Sequence, residues 1–430
     1  MKTIRTGLVC ALFVVSFCML AGTAAGQATM SARGGGAYDS WGSAYGMSAQ
    51  VAAELGYSFP VGPLTVRPHF GIWAGYDDNV YLDEEEEVDD VFITLAPGLM
   101  VIYGNPSHNY VSVNYTLELP RYIDEDRANY ESHHLSTDLH YESAKHTYHI
   151  GDRFMQTEVK DIEIGERVEK TQNVLSADIE RVMSSKTSVG IQGLHEIHDY
   201  KDDSYIDYYE YRVGGRFYYR IRPKTDIFVD AGYGWVDLDP LPDDEVTAGL
   251  DLPAGYSSSY GDAEYQEVSV GVRGKVSGKT VMTGRVGFHR REFDDDIETI
   301  DDWVASLDTL TRFSSRFQGG FEVSRRLFPW LTVPGNTSVS TTLNPYIRYQ
   351  LWRNRISLSG SVAYSIVEFY DADGEQDRED KYWEYVGIVD WKSSKLVTLG
   401  IGYAYSEQES NRGGAENENG RVILRAMFNY

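Results

Sequence analysis

Apolar and polar residues alternate one by one along most of the chain, from about residue 64 to its end. In YVSVNYTLELPRY (110–122) every second position from 111 to 119 is apolar, and the positions between are polar. The final segment RVILRAMFNY (421–430) repeats this pattern. Successive side chains of a β-strand point to opposite faces, so the pattern predicts strands with one apolar and one polar face.

The predicted strands are long, and their connections fall into two classes. They last roughly 10 to 15 residues, against about five or six in most soluble sheets, which is close to what a tilted strand needs to cross a bilayer. A soluble sandwich would also alternate, but with shorter strands. Short turns at 105–108, 184–186, 222–224, 277–279, 353–355 and 393–395 alternate with longer connections at 77–90, 124–129, 161–170, 201–207, 239–262, 371–380 and 406–420.

This arrangement predicts an all-β fold, a transmembrane antiparallel β-barrel with short periplasmic turns and long acidic extracellular loops. Closing a sheet into a barrel satisfies every backbone group, the condition for strands to lie in lipid. An even strand number fits about sixteen crossings between residues 63 and 430 if 297–336 is a single insertion, extracellular or within the lumen.

Residues 1–28 have the features of a secretory signal peptide. Lys2 and Arg5 precede an apolar stretch that ends in small residues, and cleavage after Gly26 or Ala28 would fit. An N-terminal membrane anchor is the alternative. Cys10 and Cys18, the two cysteines of the chain, both lie in this segment. The Gly- and Ser-rich residues 29–62 are predicted to form a flexible lead.

Composition narrows the class of protein. The chain has 39 basic and 65 acidic residues, a formal charge of −26, which argues against nucleic acid as a partner. Its 32 tyrosines, 16 phenylalanines and 8 tryptophans are far too many for a disordered acidic polypeptide. Beyond the signal no apolar run approaches the length of a membrane helix. We therefore expect an outer-membrane protein whose apolar faces contact lipid.

Charged residues on the polar faces are the candidate lumen-lining groups. They can create a transverse field that selects polar or anionic solutes, or they can pair and brace the wall. The candidates are Arg212, Arg216, Arg220, Arg273, Arg285, Arg348, Glu118, Asp138, Glu210 and Asp230.

Other clusters do not predict a catalytic or metal site. The acidic run 83–90 lacks the spacing of a cation loop and is interpreted as a solvated loop. His134 and His140 are six strand positions apart, roughly 20 Å, too far to bind one ion. No serine, histidine and aspartate are brought together by spacing, so we predict no enzyme, cofactor or metal.

At this point the chain resembles a known family, the putative beta-barrel porins that include outer-membrane proteins of exopolysaccharide biosynthesis operons. The resemblance rests on VRPHFGIWAGYDDNVYL (66–82), DDVFITLAPGLMVIYG (89–104) and VSVNYTLELPRY (111–122), and continues through 271–293. The segment 297–336 departs from it. The resemblance implies an outer-membrane barrel connected with polysaccharide export and no catalytic residues.

The ending of the chain suggests how it reaches the membrane. Phe428 and Tyr430 lie on the apolar parity of the last strand, as in the terminal aromatic signal that barrel assembly machinery recognises. We therefore expect that machinery as a partner, together with outer-membrane lipids and a polysaccharide or small polar solute. The expected function is an aqueous passage. The alternatives are a non-conducting surface scaffold or adhesin and, less favoured, an outer-membrane enzyme.

Overall fold

Antiparallel β-strands make up almost all of the described chain. The computed structural model describes residues 59–429, apart from 85, 107, 162, 240–260, 295–296 and 413–415. Within these residues there are nineteen strands and one short 3-10 helix, Asp126–Ala128. The strands are β1 Phe59–Val61, β2 Leu64–Asp77, β3 Asp90–Gly104, β4 Tyr110–Tyr122, β5 Ser132–Glu142, β6 His146–Lys160, β7 Arg167–Val182, β8 Thr187–Tyr200, β9 Tyr208–Arg222, β10 Thr225–Leu238, β11 Ala263–Lys275, β12 Thr280–Phe293, β13 Ile300–Arg312, β14 Phe317–Pro329, β15 Thr337–Leu351, β16 Ile356–Tyr370, β17 Gln376–Lys392, β18 Val397–Ser410 and β19 Asn417–Asn429.

Eighteen of these strands close into a ring. Each strand from β2 to β19 pairs with its neighbours in sequence, and β19 pairs with β2 from Arg421 opposite Asp77 to Asn429 opposite His69. The short β1 pairs with β2 alone, Phe59 lying opposite Val66. Closure leaves no edge strand in the wall. No helix of the described residues is long and apolar enough to span a membrane.

The barrel therefore has eighteen strands, and the predicted sixteen is wrong. The segment 297–336, expected as an insertion, contributes β13 and β14, both of which pair with wall strands. A single wall strand in this segment would have given the barrel an odd number of strands. The alternation of β13 is obscured because the apolar Val304 and Leu310 have inner-face parity, and the polar Thr309 and Thr311 have outer-face parity. The turn at 313–316 between the two strands was not recognised.

The ends of the chain lie mostly outside the described residues. The predicted signal peptide 1–28 and most of the lead 29–62 fall there, as does Tyr430 of the predicted assembly signal. The last part of the lead contains the short strand β1, Phe59–Val61.

Connections alternate in length around the ring. Turns such as 143–145 and 223–224 lie at one end, here called the short-turn end. Connections such as 78–89, 161–166, 201–207 and 330–336 lie at the other, here called the long-loop end. At the turn 313–316 the hydroxyl of Ser314 accepts hydrogen bonds from the backbone N–H groups of Arg316 (3.2 Å) and Phe317 (3.0 Å).

The alternation of the sequence separates the two faces of the wall as predicted. On β9, Val213 is 55% exposed on the outer face, whereas the adjacent Arg212 is 9% exposed on the inner face. On β19, Leu424 is 58% exposed and Arg425 is 9% exposed. Apolar side chains thus cover the outside, and the charged groups face the lumen.

One seam of the wall is incomplete. The β13–β14 ladder comprises 305–308 with 322–325 and 311–312 with 318–319. Towards the long-loop end, Val304 packs against Leu327 and Val339. Val304 has the inner-face parity of β13, whereas Leu327 and Val339 have the outer-face parity of β14 and β15. Arg325, of outer-face parity, likewise pairs with the inner-facing Asp302 (2.7 Å). The upper part of the β14–β15 hairpin therefore passes inside β13 and carries its connection into the lumen.

Candidate functional site

The β6–β7 hairpin crosses the lumen at the long-loop end. The side-chain amide of Asn417 in β19 donates to the carbonyl of Gly165 (3.0 Å). Lys160 donates to the side-chain oxygen of Asn417 and lies 5.0 Å from the ring centre of Tyr382 in β17. Neither β17 nor β19 neighbours β6 or β7 in the sheet. These contacts therefore join opposite parts of the wall.

The connection 330–336 enters the lumen from the opposite side. Leu331 is fully buried and packs with Val168, Ile206 and Tyr208. Its carbonyl accepts a backbone hydrogen bond from Ile206 (2.8 Å), and its N–H donates to the carboxylate of Glu163 in the β6–β7 connection. The two connections thus meet across the lumen. We call residues 160–167 and 330–336 together the mouth segments.

An ion pair across the lumen supports the same arrangement. Arg326 of β14 lies 3.2 Å from Glu196 of β8 and 3.6 Å from Glu210 of β9. Glu210 also accepts a hydrogen bond from the Tyr265 hydroxyl (2.6 Å). Both carboxylates are almost inaccessible to solvent, so the arginine neutralises charges that burial would otherwise make costly.

The first group of predicted residues converges on Asp230, which is fully buried. Arg212 donates to its carboxylate at 2.5 Å and Arg216 at 3.1 Å, while Arg285 lies 3.7 Å away. Arg212 also lies 3.5 Å from Glu267, and Arg285 donates to that same carboxylate. Two carboxylates and three guanidinium groups thus form one network on β9 to β12.

A second group surrounds Asp226, nearer the short-turn end. Arg220 lies 3.2 Å and Arg273 3.1 Å from its carboxylate. Arg273 also lies 2.7 Å from Glu180 and 3.6 Å from the ring centre of Tyr218. The side chains of Arg220 and Asp226 are 42% and 13% exposed, whereas that of Asp230 is fully buried, so this group is more open to solvent than the Asp230 network.

The remaining predicted residues lie elsewhere on the inner face. Arg348 donates to the hydroxyl of Ser357 (2.9 Å), and Asp138 lies 3.7 Å from the ring of His149. Glu118 is buried on β4. Apart from Glu210, the ion pairs of the predicted set join strands no more than four positions apart in the sheet, on one side of the wall. That geometry favours bracing of the wall over a transverse field.

Sequence reasoning missed the residues that cross the lumen. Arg326 lies in the segment interpreted as an insertion, Glu163 lies in the predicted connection 161–170, and Lys160 was not among the candidate residues. The one available signal was the inner-face parity of Arg326 within an alternating run, which becomes visible once β14 is recognised as a wall strand.

Loop residues outside the strands are also tied together. The Tyr81 hydroxyl donates to Glu125 at 2.7 Å. Burial raises the pKa of the Tyr81 phenol, and the hydrogen bond to Glu125 raises it further. Within the described ranges no three His, Cys, Asp or Glu side chains come close enough to hold a metal ion. One residue of the acidic run 83–90 lies outside those ranges.

A match to a protein family agrees with this architecture. A family model described as Putative beta-barrel porin 2 matches residues 56–430. No curated protein matches the sequence. Among solved structures, the outer membrane protein OpdK of Pseudomonas aeruginosa is 10% identical, with a TM-score of 0.43 over 85% of this chain and 99% of that one. OccAB3 of Acinetobacter baumannii is 10% identical, with a TM-score of 0.42 over 85% and 99%. Because the family match spans nearly all of the described residues, the chain belongs to the Putative beta-barrel porin 2 family and is an outer-membrane β-barrel.

Proposed function

We propose that the barrel is a gated passage for small polar solutes, with its long-loop end facing outwards. The observation that carries this proposal is the contrast along the lumen. Towards the short-turn end an inner-face charge such as the side chain of Arg220 is 42% exposed, whereas at the long-loop end the side chains of Glu196 (4%) and Glu210 (7%) are almost inaccessible. At the long-loop end the mouth segments meet. A wetted vestibule below a narrow closure is the arrangement expected of a gated pore.

Among the described residues, polar contacts join the mouth segments to each other and to the wall. Glu163 accepts the backbone N–H of Leu331, and Asn417 donates to Gly165. Loops at a barrel mouth can move without breaking the wall, because their hydrogen bonds are separate from the strand ladders. Polysaccharide export, which the family resemblance implies, would need both segments to leave the lumen together. Small polar solutes need a smaller displacement.

Single-channel recording in planar bilayers tests the passage. We expect the wild type to give few or brief openings and Glu163→Ala to raise the open fraction several-fold, because the carboxylate joining the mouth segments is lost. Glu166→Ala is the matched control, since it removes an exposed carboxylate from the same connection. Equal open fractions in the two variants would refute the proposal that the Glu163 carboxylate keeps the mouth segments together and the passage closed.

A non-conducting surface scaffold is the second candidate function, and the meeting of the mouth segments is the observation in its favour. If neither the wild type nor Glu163→Ala conducts after verified insertion into the bilayer, the passage proposal fails and the scaffold takes its place.

A further inference from the structure

The turns at the short-turn end of the barrel carry positive charge. None of them contains an aspartate or a glutamate, although the chain has 65 acidic residues. In six consecutive turns the residue directly before the next strand is an exposed lysine or arginine. These residues are Lys145, Lys186, Lys224, Lys279, Arg316 and Arg355. At the long-loop end, by contrast, the connections 161–166 and 371–375 each contain three acidic residues and no basic one.

Each of these six residues lies opposite the end of a neighbouring strand, on the inner face. The backbone carbonyl of Lys224 accepts the N–H of Lys275 (2.7 Å), and both residues continue the β10–β11 register, in which Asp226 pairs with Arg273. Asp226 and Arg273 face the lumen and form an ion pair. Lys224 and Lys275 lie two positions nearer the short-turn end, so they have the same inner-face parity. The turn cations are therefore placed at the inner rim of the barrel.

At four of the six positions the opposite residue is also basic. Besides Lys224 with Lys275, the same backbone hydrogen bond joins Lys186 to Arg220 (2.7 Å), Lys279 to Arg312 (2.9 Å) and Arg355 to Lys392 (2.7 Å). We call these four pairs the rim pairs. Directly opposed Cβ atoms lie about 5 Å apart, and like charges in that position destabilise a sheet.

The rim pairs also differ from the charges higher in the lumen. The arginines around Asp230 are neutralised by carboxylates on neighbouring strands. Among the residues that the structure describes, Arg220 is the one member of the rim pairs that forms an ion pair, with Asp226. Successive turns are two strands apart, about 12 Å around the rim for a strand spacing of about 4.8 Å and a tilt of about 40°. The rim thus presents a ring of positive charge whose repulsion a bound anion would offset.

We propose that this inner rim binds small, multiply charged anions and recruits solutes that carry carboxylate or phosphate groups to the passage. Rings of lysine and arginine give pores a preference for anions. The short separation within a rim pair allows two cationic groups to hold one anion. Inner-face parity directs the rim to solutes in the lumen and away from lipid headgroups. The recruiting role rests on the proposed passage, whereas the binding site does not.

Citrate binding to the purified protein in a neutral detergent tests the site. Isothermal titration calorimetry at about 20 mM ionic strength, where the Debye length is about 20 Å, leaves the rim charges weakly screened. We expect saturable binding to the wild type. Combining Lys224→Gln, Lys275→Gln and Arg312→Gln should raise the dissociation constant about ten-fold or more, because three neighbouring positive charges are lost.

The matched control removes three positive charges from the long-loop end. Combining Arg121→Gln, Lys201→Gln and Arg290→Gln changes exposed side chains there and should leave citrate binding unchanged. All six substituted residues are exposed, so the circular dichroism of both variants should match that of the wild type. Equal affinities of the two variants for citrate would overturn the rim site, as would the absence of saturable binding to the wild type.

Phosphatidylglycerol is the second probe, because its headgroup offers the same phosphate chemistry from the membrane. We expect citrate to displace any of this lipid that binds at the rim. Saturable binding of the lipid that citrate does not displace would assign the rim to lipid headgroups and overturn the solute proposal.

Conductance separates this proposal from the proposed function. In conducting Glu163→Ala barrels, the three rim substitutions should lower the ratio of anion to cation permeability, read from the reversal potential in a salt gradient. An unchanged ratio would refute the recruiting role. Barrels that bind citrate at the rim but never conduct would refute the passage and leave the binding site in place.

Discussion

Replacing Asp230 tests how much the inner-face charge network contributes to stability. Asp230 is fully buried and accepts charge-assisted hydrogen bonds from Arg212 (2.5 Å) and Arg216 (3.1 Å). The variant Asp230→Asn keeps the shape of the side chain but removes its charge and places an amide N–H against a guanidinium group. Because the volume is unchanged, a loss of stability reports on charge and hydrogen bonding and not on a cavity.

The expected loss of stability depends on which hydrogen-bond and ion-pair partners each arginine keeps in the Asp230→Asn variant. Arg212 still has Glu267 at 3.5 Å, whereas Arg216 keeps Gln192 (2.7 Å) and the Tyr218 hydroxyl (3.1 Å), both uncharged. Hydrogen bonds to charged groups contribute about 1.5–3 kcal/mol each, and breaking a buried ion pair costs about 3–5 kcal/mol. Since part of the network survives, we expect the free energy of unfolding to fall by about 3 kcal/mol, the lower end of that range.

Urea unfolding in detergent micelles, followed by tryptophan fluorescence, measures this loss. Glu131→Gln is the control, because Glu131 pairs with Arg121 at 2.9 Å while both side chains are about half exposed. An exposed pair of this kind contributes at most about 1 kcal/mol. If Asp230→Asn costs no more than Glu131→Gln, the Asp230 network does not brace the wall.

Two further predictions concern the wall and its assembly. Gly232→Ala places a Cβ 2.7 Å from the Arg212 guanidinium carbon, so we expect a loss of about 1–3 kcal/mol by overpacking in the same unfolding assay. Gly193→Ala, with open space around its Cβ, should be nearly neutral, and equal losses would contradict this explanation. Removal of residues 428–430 deletes Phe428, whose ring lies 6.1 Å from that of Phe70 across the closing β19–β2 pair, together with the predicted assembly signal. We expect this truncated chain to be absent from the outer-membrane fraction, and normal insertion would refute the predicted role of the C-terminal residues.

The number of strands in the barrel could not be predicted from the alternation within each segment alone. The inner- and outer-face residues of β4, β9 and β19 follow directly from alternation, because the side-chain period of a strand is two residues whatever it pairs with. In β13, polar residues occupy both faces, so alternation no longer marks the strand. Only its pairing with β12 and β14 identifies it as part of the wall.

The candidate site was predictable in part. The sequence placed Arg212, Arg216 and Asp230 on polar faces, but it did not indicate which charges meet. Partner choice depends on the register between strands, which places Arg216 directly opposite Asp230. Register is set by the whole sheet and by turn geometry, and no single segment contains it.

The sequence by itself determined the class of this protein, because long alternating strands and connections of two lengths leave a closed barrel as the structure that satisfies every backbone group in lipid. It also determined the inner and outer faces of the clearly alternating strands, such as β4, β9 and β19. The tertiary structure decided that eighteen strands close the ring, that the β14–β15 hairpin passes inside β13, and that Glu163 meets Leu331. Those features join segments far apart in the chain, and such contacts depend on the closure and register of the whole barrel.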